Sequence, residues 1–184
     1  MIRSRFLFRW MVGLALGATA MAFGADRPIG AEIPWTTLEA ESMRTSGAVL
    51  GPVYAPHRVE MESSGQQCVK LGRAGEFVEF TAAGYFDSLV LRYSLPDAPA
   101  GGGLASKLTL TINGQPVREL ALSSRDTWLY GSYPFSNDPK QGKPRNFYDE
   151  LRLKRLTIAA GDVVRLAKTA DDGVDCIVDL IDLE

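Results

Sequence analysis

The sequence predicts an all-β protein, an antiparallel β-sandwich, and three observations support that class. Short apolar runs recur along the chain, and in several of them apolar and polar residues alternate as in half-buried strands. Helical periodicity is nearly absent. Asn113-Gly114 lies between two of the runs, which is typical of a hairpin turn. The predicted strands cover residues 67–71, 76–80, 88–94, 107–112, 116–122, 150–156, 162–166 and 176–183. Short strands separated by turns favour two packed sheets.

Residues 1–25 are predicted to be a signal peptide that precedes the fold. Arg3, Arg5 and Arg9 form a basic start, an apolar run covers 10–21, and small residues follow at possible cleavage sites. A bilayer needs ~20 apolar residues, so the run is too short for a membrane anchor. We therefore expect a secreted, extracellular or periplasmic protein without membrane insertion after cleavage.

The remaining chain is acidic and has the size of one domain, residues 33–184. Residues 1–22 carry three of the 20 basic and none of the 22 acidic residues, so their removal changes the net charge from −2 to −5. That charge disfavours nucleic acid and anionic membranes as partners. We expect a monomer. For Cys68 and Cys176, a disulfide and two buried thiols both remain open.

Residues 123–147 interrupt the succession of strands with a long aromatic connection. A loop of this length in a compact domain is usually functional or disordered, and this one is too aromatic for disorder. A flexible, glycine-rich loop covers 97–103. The sequence therefore places candidate binding residues in the 123–147 connection.

Catalytic motifs are scarce, and we predict a protein without catalytic residues. His57 is the only histidine, and motifs of serine hydrolases, zinc peptidases and dithiol oxidoreductases are missing. A glycosidase-like carboxylate pair at Asp149 and Glu150 is disfavoured because adjacent strand residues point to opposite faces. The acidic residues at 171–175 lie in a predicted turn, where aspartate is common for backbone reasons.

Glu39 and Glu41 stand two residues apart in a predicted strand, so both point to one face. Two like charges at one spot are destabilising unless a positive group lies between them. A Ca²⁺ ion, Lys70 or an arginine could supply that charge. In the last strand, alternation places Asp179 and Leu183 on one face, and Asp179 could join the glutamates if the two strands are neighbours.

Four segments in order resemble the carbohydrate-binding modules of families 6, 35 and 36, which are galactose-binding-like jelly rolls attached to secreted polysaccharide-degrading enzymes. They are Leu38-Glu-Ala-Glu-Ser42, Gly65-Gln-Gln-Cys-Val-Lys-Leu71, Gly75-Glu-Phe-Val-Glu-Phe80 and Ile177-Val-Asp-Leu-Ile181. The resemblance covers most of 33–184. The insertion from Trp128 to Glu150 resembles an uncharacterised branch found on bacterial secreted β-helix proteins.

The resemblance implies a structural Ca²⁺ that fastens the chain ends. Its carboxylate ligands would be Glu39, Glu41 and Asp179, with backbone carbonyls from the 62–65 loop. The cation would offset the repulsion between the two glutamates.

The resemblance also implies a sugar site on loops at one edge of the sandwich. Its residues would be Trp128, Tyr130, Tyr148, Asp172 and Asp175. Asp175 stands near the position of a family asparagine, which departs from the pattern. Alternatively, the aromatic side chains of the long loop pack together as a small core of their own.

These arguments predict a secreted, non-catalytic carbohydrate-binding module with one structural calcium, whose partner is a polysaccharide or other glycan. One alternative is a protein-interaction or adhesion module, because fold does not fix function. Another is a truncated N-terminal module of a larger polysaccharide-degrading enzyme. Exposed aromatic side chains beside polar groups in a groove would favour the sugar, and a flat apolar patch would favour a protein.

Overall fold

The computed structural model describes residues 33–146 and 148–184. The predicted signal peptide lies outside these residues. Within them, no helix is long and apolar enough to cross a membrane.

The described residues form thirteen strands and four short 3-10 helices. The strands are β1 (Thr36–Glu39), β2 (Arg44–Thr45), β3 (Ala48–Leu50), β4 (Cys68–Leu71), β5 (Phe77–Thr81), β6 (Leu89–Ser94), β7 (Ala105–Ile112), β8 (Gln115–Ser123), β9 (Trp128–Tyr130), β10 (Pro144–Asn146), β11 (Asp149–Leu153), β12 (Val163–Lys168) and β13 (Cys176–Leu183). The 3-10 helices are Ala40–Ser42, Val59–Glu62, Ser64–Gln66 and Pro139–Gln141. Each run predicted from the sequence contains a strand, and the all-β class is confirmed.

Two antiparallel sheets form the sandwich. The six-stranded sheet has the order β11-β6-β13-β4-β3, with β1 also paired to β13, and the five-stranded sheet has the order β2-β5-β12-β7-β8. The segment from β9 to β10 forms a separate two-stranded ribbon. The predicted hairpin joins β7 to β8, and Asn113 and Gly114 have φ of 52° and 77°, as such a turn requires.

The core lies between the two sheets and follows from the alternation in the strands. Leu108 and Leu110 of β7 are fully buried, and Leu89 and Leu91 of β6 are buried in the same cluster. Each buried leucine stabilises the fold by ~1.5–3 kcal/mol relative to an exposed one. Thr109, between Leu108 and Leu110, is half-buried and lies outside this cluster.

The first and last strands are neighbours, as predicted: Leu38 pairs with Ile181 and Glu39 with Leu180. However, β1 ends at Glu39, and Glu41 lies in the following 3-10 helix. The two glutamates therefore come together through a turn and not through the alternation of a strand.

A β-bulge in β13 changes the face on which Asp179 lies. The pairing with β6 shifts register between Val178 and Leu180, which leaves Asp179 as the extra residue. Leu183 belongs to the core, whereas Asp179 faces the opposite side of the sheet. The prediction that both share one face is wrong, because alternation is interrupted at the bulge.

Cys68 and Cys176 are free and buried. Cys176 belongs to the core between the sheets, whereas burial near Tyr148 on the outer side raises the pKa of Cys68 to about 11. The two thiols lie on opposite sides of the six-stranded sheet. Of the two alternatives that the sequence left open, a disulfide and two buried thiols, the structure shows two buried thiols.

Candidate functional site

The outer side of the six-stranded sheet is covered by residues 51–66, which we call the covering loop. Its Ser64 amide donates to Asp179 Oδ1 at 2.9 Å, and Tyr148 Oη donates to the Val59 carbonyl at 3.1 Å. Glu60 and Ser63 are buried within it. The loop thus holds polar groups against one face of the sandwich.

Asp179 is fully buried beneath this loop and forms an ion pair with Arg92 of β6. A second guanidinium nitrogen of Arg92 donates to the Glu62 carbonyl at 3.1 Å. Burial raises the pKa of Asp179 to about 6, although Arg92 and the Ser64 amide oppose the rise. Arg92 is therefore the positive group nearest to this carboxylate.

Glu39 and Glu41 lie beside Asp179, but their carboxylate oxygens accept fewer hydrogen bonds. Glu39 Oε1 accepts from Ser64 Oγ at 2.8 Å. The other oxygen of Glu39 and one of Glu41, both Oε2, are buried and have no hydrogen-bond partner among the described residues. Burial raises the pKa of Glu41, and the charge of Glu39 adds to the rise. Such oxygens lose solvation without compensation, which a bound cation would supply.

The three predicted metal ligands thus lie in one region, where Glu39 and Glu41 each keep one oxygen without a hydrogen bond and Asp179 is paired with Arg92. In the part of the chain that the structure describes, no three His, Cys, Asp or Glu side chains are arranged to hold a metal ion. The donor-less oxygens of Glu39 and Glu41 fit a hard cation, whereas Arg92 already neutralises Asp179.

A groove of about 790 Å³ lies next to this cluster, over the end of β6 and the start of β13. Leu95 and Ile177 line its floor, and Met61 lies on the side of the covering loop. Trp128 and Arg145 line the side of the β9–β10 ribbon. The covering loop and the ribbon therefore form the walls of the groove, over residues of the sheet and its core.

Trp128 is fixed in the wall of the groove. It is half-buried, and its Nε1–H donates to the Leu95 carbonyl at 3.2 Å. Asp175 also lines the groove, and its carboxylate lies 3.3 Å from Lys70 Nζ. These two residues are the ones from the predicted sugar site that the structure brings together.

The other three residues of the predicted sugar site lie elsewhere. Tyr130 is only 4 % exposed and its hydroxyl bonds to Asp97, so its ring has no free face for a sugar. Tyr148 is half-buried beneath Arg92, whose guanidinium carbon lies 4.6 Å from the ring centroid. Asp172 accepts from Lys168 Nζ at 2.5 Å and from Ser106 Oγ at 2.7 Å. The structure does not bring all five side chains together, because tertiary packing places Tyr130, Tyr148 and Asp172 in three separate clusters.

Tyr133 is an aromatic residue that the predicted site omitted. Its side chain is 88 % exposed, and its ring packs edge to face on Phe135 at 6.2 Å. The aromatic content of the 123–147 connection indicated the region, but the sequence does not show which rings face solvent.

The structure agrees with the prediction that the side chains of Asp149 and Glu150 point to opposite faces of their strand. Asp149 is half-buried and accepts from Tyr93 Oη at 3.3 Å, whereas Glu150 is exposed. The acidic side chains that line the groove are instead Glu62 and Asp175. The carboxyls with raised pKa, Glu41 and Asp179, do not line it.

Comparison with known proteins identifies the family. The family model described as the α-1,3-glucanase catalytic domain D1 matches residues 32–184. No curated protein matches the sequence. Among solved structures, the catalytic unit of a thermostable GH87 α-1,3-glucanase from Streptomyces thermodiastaticus strain HF3-3 is 34 % identical, with a TM-score of 0.69. The Agl-KA catalytic domain is 26 % identical, with a TM-score of 0.76.

Both structures cover 84 % of this chain, and the chain spans 26 % and 28 % of their lengths. A GH87 α-1,3-glucanase catalytic domain in complex with nigerose gives 28 % identity and a TM-score of 0.73, over 84 % of this chain and 29 % of that one. A family 36 carbohydrate-binding module in complex with calcium and xylotriose gives 23 % identity and a TM-score of 0.52, over 81 % of this chain and 99 % of that module. At that identity the module shows the shared fold alone.

These matches correct the functional prediction. The expectation of a non-catalytic module, and with it the prediction that the protein is not an enzyme, is wrong, because the matching model and structures describe catalytic domains. The resemblance to binding-module families 6, 35 and 36 predicted the fold correctly but did not predict the family. The chain belongs to the family of the α-1,3-glucanase catalytic domain D1.

Proposed function

We propose that this chain is the β-sandwich part of a catalytic unit that hydrolyses α-1,3-glucan. The observation that carries the proposal is the family match over residues 32–184. The 34 % identity to a thermostable α-1,3-glucanase catalytic unit supports the same substrate.

Hydrolysis of a glycosidic bond generally uses two carboxyl groups that flank the bond, one of them a general acid with a raised pKa. Asp179 has a raised pKa but is fully buried, so it cannot reach a substrate. Glu62 and Asp175 line the groove, and Asp175 is paired with Lys70. In this proposal the sandwich holds the glucan, and the carboxyl groups that cleave the bond lie outside residues 33–184.

The experiment is product release by the full-length protein that carries this chain. It is incubated with insoluble α-1,3-glucan, with amylose as the α-1,4 control and with a β-1,3-glucan as the anomeric control. We expect reducing ends and short oligosaccharides from α-1,3-glucan alone. Absence of products, or equal release from either control, would contradict the proposal.

We also propose that Ca²⁺ binds at Glu39 and Glu41. The support is the pair of buried carboxylate oxygens that have no donor among the described residues. The cation would neutralise the two glutamates and fasten β1 to the covering loop. Asp179 joins the ligand set only on leaving Arg92, which holds it in this structure.

Export remains part of the proposal, through the predicted signal peptide at residues 1–25. An insoluble polysaccharide cannot enter a cell, so an enzyme that degrades it must act outside. N-terminal sequencing of the mature protein should place the first residue at Phe23 or Ala25, after the small-residue sites at 20–22 or 22–24.

A further inference from the structure

The β9–β10 ribbon presents an aromatic surface that the fold does not require. Tyr133 is the most exposed of the large hydrophobic side chains in the described residues, at 88 %. Its ring contacts the ring of Phe135 edge to face, at an angle of 88°. A tyrosine loses little conformational entropy when a ligand stacks on its ring, because its side chain has only two torsions.

Arg145 connects this surface to the groove. Its guanidinium carbon lies 4.8 Å from the ring centroid of Phe135, and the same residue lines the groove together with Trp128. Trp128, Arg145, Phe135 and Tyr133 therefore form a continuous series from the groove wall to the ribbon surface. We call this series the aromatic path.

Two of the charged side chains that line the groove are paired within the protein. Arg58 is paired with Glu60 at 2.7 Å, and Asp175 lies 3.3 Å from Lys70. Glu62, Lys143 and Arg145 also line the groove, so polar groups lie beside its aromatic and apolar side chains. Aromatic faces beside polar groups match a pyranose ring, which has apolar C–H faces and a rim of hydroxyls.

We propose that the groove and the aromatic path form one binding site for a strand of α-1,3-glucan. The choice of α-1,3-linked glucose rests on the proposed function. The groove volume of about 790 Å³ lies within the ~300–1,000 Å³ typical of ligand pockets, and the ribbon surface extends it. The site therefore suits an oligosaccharide or polymer and favours longer chains over a single sugar.

The test is retention of the full-length protein on insoluble α-1,3-glucan at a temperature where hydrolysis is slow. The variants are Tyr133→Ala and Arg145→Gln, which alter exposed side chains and should leave the melting temperature unchanged. The matched control is Tyr85→Ala: Tyr85 is 69 % exposed and precedes the start of β6, whereas the groove lies at the end of β6. We expect a dissociation constant at least tenfold higher for Tyr133→Ala, a smaller increase for Arg145→Gln, and a wild-type value for Tyr85→Ala.

Each outcome separates this site from the proposed function. Wild-type retention in both ribbon variants, or equal losses in Tyr85→Ala, overturns the aromatic path even if the protein hydrolyses α-1,3-glucan. Failure of hydrolysis with Tyr133-dependent retention on another glucan overturns the proposed function and leaves a glycan site. If the wild-type protein is retained on no glucan, the groove serves another partner and the inference is wrong.

Discussion

Both outer faces of the sandwich carry charged side chains, but one face is open to solvent and the other is covered by a loop. On the five-stranded sheet the outer face is open to solvent and carries paired charges such as Lys107 and Glu119, 2.7 Å apart. On the six-stranded sheet, the covering loop encloses buried charged groups, and the groove lies between that loop and the ribbon. The strands alone account for the first face, whereas the second depends on segments that add little to the core.

Carboxylates show the contrast most directly. Glu79 on the five-stranded sheet is buried, but Arg44 and Arg165 bond its two oxygens at 2.5 and 2.6 Å. Burial would raise the pKa of Glu79, and the two arginines outweigh that and lower it. Glu41 on the other face keeps a buried oxygen without a donor and has a raised pKa. A carboxylate whose two oxygens are both hydrogen-bonded, such as Glu79, fits a structural role. A carboxylate that keeps a buried oxygen without a donor, such as Glu41, fits a place for a ligand.

The largest expected effect comes from breaking the buried pair under the covering loop. Arg92→Met leaves the carboxyl of Asp179 buried without its partner and should lower the free energy of unfolding by about 3–5 kcal/mol. Lys107→Met removes one member of the exposed pair on the other face and should cost at most ~1 kcal/mol. Urea denaturation near neutral pH measures both. Equal losses would show that the two faces do not differ in this way.

Calcium should give the next largest effect. A ligand that binds only the folded state stabilises it by ~2.7 kcal/mol at a hundredfold excess over its dissociation constant. Chelation should therefore lower the melting temperature of the wild-type protein, and Glu41→Gln should remove the difference between calcium and chelator. Glu119→Gln, on the solvent-exposed face, is the control and should retain it. An identical melting curve with and without chelator, and no calcium by elemental analysis, would reject the site.

A pH-dependent effect should appear in acid, at the cluster where Asp172 meets Lys168 and Ser106. Burial alone would raise the pKa of Asp172, but hydrogen bonds from Lys168, Ser106 and the Val174 amide lower it to about 2. Because the folded pKa lies below the unfolded value, ionised Asp172 stabilises the fold above pH ~4. That contribution is lost as the pH falls from about 4 to 2. Solvent reduces it only in part, because Asp172 is 29 % exposed whereas its partner Lys168 is fully buried.

Melting temperatures of the wild type and Asp172→Asn between pH 7 and 2 measure this contribution. The wild type should be more stable above pH ~4, and the gap should close as the pH falls towards 2. A gap that is constant over the whole range would mean that the charge of Asp172 contributes nothing to stability.

Local chemistry made much of the fold predictable. The turn at Asn113-Gly114 requires positive φ at both residues, so two positions specify a hairpin. The pairing of the first and last strands followed from a resemblance in the order of four segments. The bulge at Asp179 was not predictable, because it depends on how β13 fits between its neighbours and not on its own sequence.

The candidate site was less predictable for the same reason. Tyr130 and Tyr133 are three residues apart in one aromatic segment, yet one is 4 % exposed and the other 88 %. The bond from Tyr130 to Asp97 and the packing of Tyr133 on Phe135 decide this, and neither contact is visible in the local pattern. The binding-module fold is also shared with a domain of catalytic units, so the resemblance in strand order did not distinguish the two.

The most direct test of the whole account is hydrolysis of insoluble α-1,3-glucan by the full-length protein, followed by chromatography of the soluble products. The account predicts α-1,3-linked oligosaccharides from this polymer and none from amylose under the same conditions. A protein that releases no products from α-1,3-glucan, or that degrades amylose as readily, would contradict it.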